Sequence, residues 1–128
     1  MKEKEYNHLS KQILDSAIAV HKEMGPGLLE SVYEYCLIAE LQSRGIKAEA
    51  QVYLPLVYKG KDLNKDFRMD ILVEDEIIIG VKAAEMIHPV HEAQTISYLK
   101  LADKRLGFLI NFNVPLLKNG FRRFVNDF

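Results

Sequence analysis

Asp70 closes the run Phe67-Arg68-Met69-Asp70, and ten positions later Gly80 opens the triplet Gly80-Val81-Lys82. Side chains alternate along a strand, so positions 76, 78, 80 and 82 share one face. Asp70 falls across a hairpin on the neighbouring strand. A carboxylate there, facing an acid-x-lysine triplet, makes a site for a hard cation. Two carboxylates would hold Mg²⁺ or Mn²⁺, which favour oxygen ligands, Mg²⁺ keeping several waters. The cation would polarise a phosphodiester and help generate hydroxide. Lys82 would orient that water and offset developing charge. Position 80 shares the face of Lys82, where an acid would supply the second carboxylate, and glycine supplies no ligand. The competing readings are plain: Gly80 as a close-packing or bulge position, Lys82 as an exposed strand end, and Asp70 with Arg68 as a surface ion pair worth little.

Other residues could complete or replace the set. Glu30 stands in the first turn of a helix, where the dipole favours a carboxylate; it either caps that start or reaches across as an extra ligand. Glu85 and Glu92 are the candidate substitutes for the missing acid. Glu76 has the right parity, but four residues at ~3.3 Å each put it about 13 Å away. His91, Gln94 and Tyr98 lie along one helical stripe. They either present an imidazole, an amide and a phenol to the strand ends, or pack with their polar tips satisfied locally. His88 and His91 have the spacing of a metal pair, but Pro89 intervenes and no third ligand is evident. Lys118, Arg122 and Arg123 form one local cationic stretch, a candidate for phosphate contact or simply a solvated surface.

The elements that must position these groups follow from periodicity. Ile13, Leu14, Ala17, Ile18 and Val20 mark an amphipathic helix over Leu9 to Met24, broken by Gly25-Pro26-Gly27. A second helix runs from Leu28 or Leu29 to Ser43, with Gly45 following as a cap residue. Alternation over Glu49 to Tyr58 reads as a strand, and Pro55 assigns it to an edge or a bulge. Lys59-Gly60-Lys61-Asp62 reads as a turn. Phe67 to Val73 and Glu76 to Ala83 form a hairpin around Glu74-Asp75. The run Ile77-Ile78-Ile79 suggests a central strand buried on both faces. Helix over Val90 to Asp103, strand over Arg105 to Phe112 and a last short strand over Gly120 to Val125 complete the order ααβββαβ(β). The expected class is α+β, a mixed sheet flanked by helices.

The 128 residues suit a single domain spanning 1–128. With 48% apolar and 27% charged residues, the chain is globular rather than disordered. No apolar run approaches the ~20 residues that span a bilayer, so no membrane association is expected. The charged N-terminus leads into no signal-like segment, and the single Cys36 fits a small core residue in a reducing compartment. A cytoplasmic location is the expectation. The net charge of −1 gives no overall basic footprint, although nucleic-acid affinity follows local rather than total charge.

Several motifs recur in order along nearly the whole chain: Ile18 to Tyr33 with Gly27-Leu28-Leu29-Glu30-Ser31-Val32-Tyr33, Phe67-Arg68-Met69-Asp70, Pro89-Val90-His91-Glu92-Ala93-Gln94, and Leu109-Ile110-Asn111-Phe112. Together they resemble the GxxExxY family of the PD-(D/E)xK nuclease-like superfamily. The resemblance implies a restriction-endonuclease-like core, Glu30 as the helix carboxylate, Asp70 as the first metal ligand and Lys82 as the lysine. Gln94 and Tyr98 resemble the Gln-xxx-Tyr element of nucleases that act with helicases. The family pattern usually places glutamate before Val81, so Gly80 departs from it at a metal ligand. Two functions follow: a nuclease using Mg²⁺ or Mn²⁺, weakened or silenced at Gly80, or a non-catalytic module that binds nucleic acid or protein. A third reading is a homodimeric or otherwise homo-oligomeric structural protein, with the paired isoleucine-rich strands and the apolar tail Phe121, Phe124, Val125 and Phe128 as its interface.

Overall fold

A computed structural model describes residues 1–127. Helix α1 (Glu3–Met24) buries Tyr6, Leu9, Ile13, Ala17 and Val20, the stripe expected of a helix lying on a sheet. It starts earlier than the apolar period suggests, because Tyr6 anchors the charged first turns: its hydroxyl donates to Glu76 Oε2 at 3.0 Å. Gly25 ends the helix with φ at 72°, a conformation that favours glycine. Helix α2 (Glu30–Ser43) follows, burying Tyr33, Leu37 and Leu41. The Tyr33 hydroxyl donates to the Gly25 carbonyl and accepts from the Leu28 amide, while its ring stacks on Phe112 with centroids 4.6 Å apart. That tyrosine fixes the glycine loop and therefore where Glu30 starts the helix.

Five strands form one mixed sheet in the order β1-β2-β3-β4-β5: β1 (Ala48–Tyr58), β2 (Lys61–Val73), β3 (Ile77–Lys82), β4 (Leu106–Asn111) and β5 (Phe121–Val125). Neighbours are antiparallel except β3 and β4, which run parallel. That parallel step requires a crossover, and α3 (Pro89–Leu101) provides it. The architecture is α+β in the expected order. β1 is an edge strand with a register shift between Pro55 and Val57. β2 starts at Lys61 rather than Phe67, so the expected four-residue turn shrinks to Lys59 and Gly60.

Two apolar cores sandwich the sheet. Ile77, Ile79 and Val81 of β3 join the residues of α1 and α2 on one face. Ile78 joins Phe67, Met69, Leu72 and Leu99, the side covered by α3. The isoleucine run is therefore a central strand buried on both faces. In the tail, Phe121 packs against the first core and Phe124 against the second. Only Val125 of β5's apolar residues is exposed; Phe128 lies outside the described residues. β5 thus leans both aromatic rings, half-buried, on the two cores. No helix of the described residues is long and apolar enough to cross a membrane.

One buried polar side chain holds the end of β3 in place. Asn111 is 2% exposed, and its amide grips both backbone groups of Ala84, accepting at 3.1 Å and donating at 2.8 Å. Its Oδ1 also accepts from Asn113 N at 3.1 Å. Asn111→Ala leaves buried peptide groups unpaired, so it should destabilise the fold by about 2–3 kcal/mol, read by urea unfolding. A loss below ~0.5 kcal/mol would show that water replaces the amide freely.

Candidate active site

The β2–β3 ladder stops early. Its pairs are Val73↔Ile77, Leu72↔Ile78 and Ile71↔Ile79, whereas β3 stays paired to β4 as far as Lys82↔Asn111. The strands part where Asp70 would face Gly80. There the Val81 amide, which would otherwise lack a partner, donates to Asp70 Oδ2 at 2.8 Å. The other oxygen, Oδ1, accepts from Arg68 Nη2 at 3.2 Å. The Asp70 side chain is 15% exposed and that of Arg68 45%, so this ion pair contributes at most about 1 kcal/mol. Strand parity also breaks here: Met69 packs in the α3-side core and Ile71 in the opposite one. The Asp70 carboxylate bonds a ladder amide and so lies in the gap between strands, rather than squarely on one face.

That gap opens into a cavity of about 210 Å³ lined by Arg68, Met69, Asp70, Ile78, Ile79, Gly80, Lys82, Gln94, Thr95, Tyr98 and Leu109. Asp70, Lys82, Gln94 and Tyr98 are thus gathered in one place from β2, β3 and α3. Leu99, fully buried, anchors α3 against Ile78 and Met69, while the Tyr98 ring packs on Phe67 with centroids 4.7 Å apart. With Leu99 turned to the sheet, positions 94, 95 and 98 reach the strand ends. Thr95 was not singled out from sequence; its hydroxyl donates to the His91 carbonyl at 3.0 Å.

Gly80 does not owe its identity to the backbone. It holds regular register with Leu109, with no bulge, and its φ is outside the left-handed region. A Cβ there would meet Leu109 Cδ1 at 3.1 Å and lie 4.0 Å from Asp70 Oδ2. A side chain needs only a small shift of one leucine methyl, and a carboxylate would reach Asp70's neighbourhood.

The remaining acids divide. Glu30 is exposed and lines an adjoining depression with Leu28, Leu29, Ser31 and Ala83, the residue after Lys82. Glu85 is exposed on the segment after β3 and does not line the cavity. Glu92 pairs with Arg122 of β5 and is likewise outside the lining. Among the described residues, no group of three His, Cys, Asp or Glu side chains is gathered for a metal.

One acid was missed. Glu34 of α2 is 8% exposed, and its Oε1 is buried without a hydrogen-bond partner. Burial raises its pKa, as do Asp70 and, more weakly, Glu30; Arg68 and Lys82 oppose them. Asp70, Arg68 and Lys82 line the cavity, and Glu30 lines the depression beside Ala83. Sequence carried a signal: Glu34 precedes Leu37, Ile38 and Leu41 at helical spacing, so a charge sits on the core-facing stripe. His91 shows a related pattern. Its pKa is lowered, first by burial, then by Lys82 and His88, against Glu30, and its Nδ1 is buried without a partner. His88 and His91 meet edge to face at 5.7 Å.

The sequence matches the family described as the PD-(D/E)XK nuclease superfamily over residues 7–124. The chain belongs to this superfamily. Neither the curated proteins nor the solved structures contain a match. Nucleases of this superfamily typically use divalent metals, and the donor set here fits such an ion. Mg²⁺ needs only one or two carboxylates beside water and phosphate. Asp70 lies in the gap, and it acts electrostatically on Glu34, which has an orphaned buried carboxylate oxygen.

The raised Glu34 pKa has a stability consequence. Its folded value lies above its unfolded one, so stability from this group is complete below the unfolded carboxyl pKa and is lost as pH rises through the raised folded value. Glu34→Gln removes that loss. In metal-free buffer it should melt above the natural protein at pH 7, by roughly 1 kcal/mol, with the gap closing in acid. A difference unchanged by pH would mean that the carboxyl does not titrate with folding.

Proposed function

We propose that this chain is a divalent-metal-dependent nuclease whose hydrolysis of nucleic acid is weakened because Gly80 stands where the acidic ligand is needed. The observation that carries this reading is the single cavity at the parting of β2 and β3, which contains Asp70, Lys82, Gln94 and Tyr98. The motif Gly27-Leu28-Leu29-Glu30-Ser31-Val32-Tyr33 supports membership of the GxxExxY family within the superfamily.

Asp70 and Glu30 are the residues we assign to Mg²⁺ or Mn²⁺ from the family pattern. When bound, the ion polarises the scissile phosphate and lowers the pKa of a coordinated water. The protein's own groups do the rest. Lys82, between the strand end and the cavity, orients the attacking water and offsets the negative charge on the phosphoryl oxygens of the pentacoordinate transition state. Gln94 and Tyr98 supply an amide and a phenol that can hold the water or a phosphate oxygen. Arg68, half-exposed at the mouth, has the planar fork that suits a phosphate.

A second reading is favoured by one observation: both Asp70 oxygens are already engaged, by Arg68 and by the Val81 amide, and Gly80 adds none. On that reading the fold binds nucleic acid or a protein without cutting.

A cleavage assay on single- and double-stranded DNA with Mn²⁺ tests both. The natural protein should cut slowly, Lys82→Ala should reduce the rate by roughly 10²-fold, and Gly80→Glu should raise it by at least about tenfold. Cleavage indifferent to Lys82→Ala would remove the proposed site. No cleavage by the natural protein or Gly80→Glu would favour the binding module.

A further inference from the structure

We propose that Glu34 supplies the carboxylate that position 80 lacks, joining the ligands assigned above at one divalent cation beside Asp70 in the gap between β2 and β3. The inference rests on reading the cavity as a metal-dependent phosphodiesterase site.

Geometry brings Glu34 to the gap from the α2 side. Helix α2 packs on β1, β2 and β3. Glu34 lines a hollow with Ala50 and Gln51 of β1. The β1–β2 register pairs Ala50 with Ile71 and Val52 with Met69, so Gln51 falls opposite Asp70. Glu34 therefore sits over the stretch of sheet that carries Asp70. The Asp70 carboxylate is held in the gap by the Val81 amide, and it is the charged group that acts most strongly on Glu34. Lys82, Gln94 and Tyr98 meet it from the α3 side.

Glu34 is also the one carboxylate here with an unmet need. Its Oε1 is buried and has no partner, a state that costs free energy unless a ligand satisfies it. Glu30, one turn earlier, is exposed in the depression beside Ala83, and Glu92 is committed to Arg122. The acids around Glu34 outweigh what Arg68 and Lys82 offset, so a cation between Asp70 and Glu34 relieves like-charge repulsion and desolvation at once. Two carboxylates completed by water suit Mg²⁺ or Mn²⁺.

The test is titration of MnCl₂ into the metal-free protein by calorimetry, for the natural chain, Asp70→Asn, Glu34→Gln and Glu34→Gln combined with Gly80→Glu. Circular dichroism checks that each variant folds. The natural protein should bind one Mn²⁺. Asp70→Asn and Glu34→Gln should each weaken binding by at least about tenfold, and adding Gly80→Glu to Glu34→Gln should restore most of the affinity. Independently, Mn²⁺ should raise the melting temperature of the natural protein more than that of Glu34→Gln. Loss in Asp70→Asn with full retention in Glu34→Gln would overturn the role of Glu34 while leaving a metal site in place. No Mn²⁺ binding by the natural protein would overturn both this inference and the metal-dependent reading beneath it.

Discussion

The site depends on two strands that stop pairing one residue too soon. Where β2 leaves β3, the Val81 amide loses its ladder partner, and a buried amide must find another. Asp70 provides it with a side chain. One carboxylate thus ends the hairpin, keeps the gap open and presents its remaining lone pairs to the cavity. Lys82 lies beyond the same point on β3, still fixed by β4 on its far side. Asn111 of β4 then ties down the exit at Ala84.

Electrostatic balance around that gap is unfavourable to folding. The Arg68–Asp70 pair is half in water and contributes little. A buried carboxylate oxygen without a partner costs about 1–3 kcal/mol, so Glu34 outweighs it. Strained or uncompensated groups concentrate where a protein acts on something else, and here the uncompensated acid is electrically joined to Asp70, Arg68, Glu30 and Lys82.

Much of this was legible in the residues, and the failures have physical reasons. The isoleucine run announced a central strand because burial on both faces suppresses alternation. Asp70, Gly80 and Lys82 could be aligned by parity, although parity itself fails at Asp70, where the strand twists out of the ladder. The start of β2 was hidden because residues 61–66 are nearly all polar; they form a hairpin arm beyond both cores, where nothing imposes a two-residue period. The first turns of α1 were hidden for the same reason; burial of Tyr6 and its long-range hydrogen bond to Glu76 tie them to the fold. Glu34 was overlooked because a glutamate in a helix is ordinarily solvated, and its burial depends on how α2 lies across β1 and β2, which no local pattern encodes.

Gly80 has an ordinary backbone conformation, regular pairing and nearly enough room for a side chain. Codons for glycine that end in a purine become glutamate codons by a change at the middle base. With such a codon, the two chemical states of this position stand a single transition apart, with no intermediate that must misfold. A lineage carrying this scaffold can therefore lose and regain a carboxylate at the metal gap without rebuilding the sheet around it.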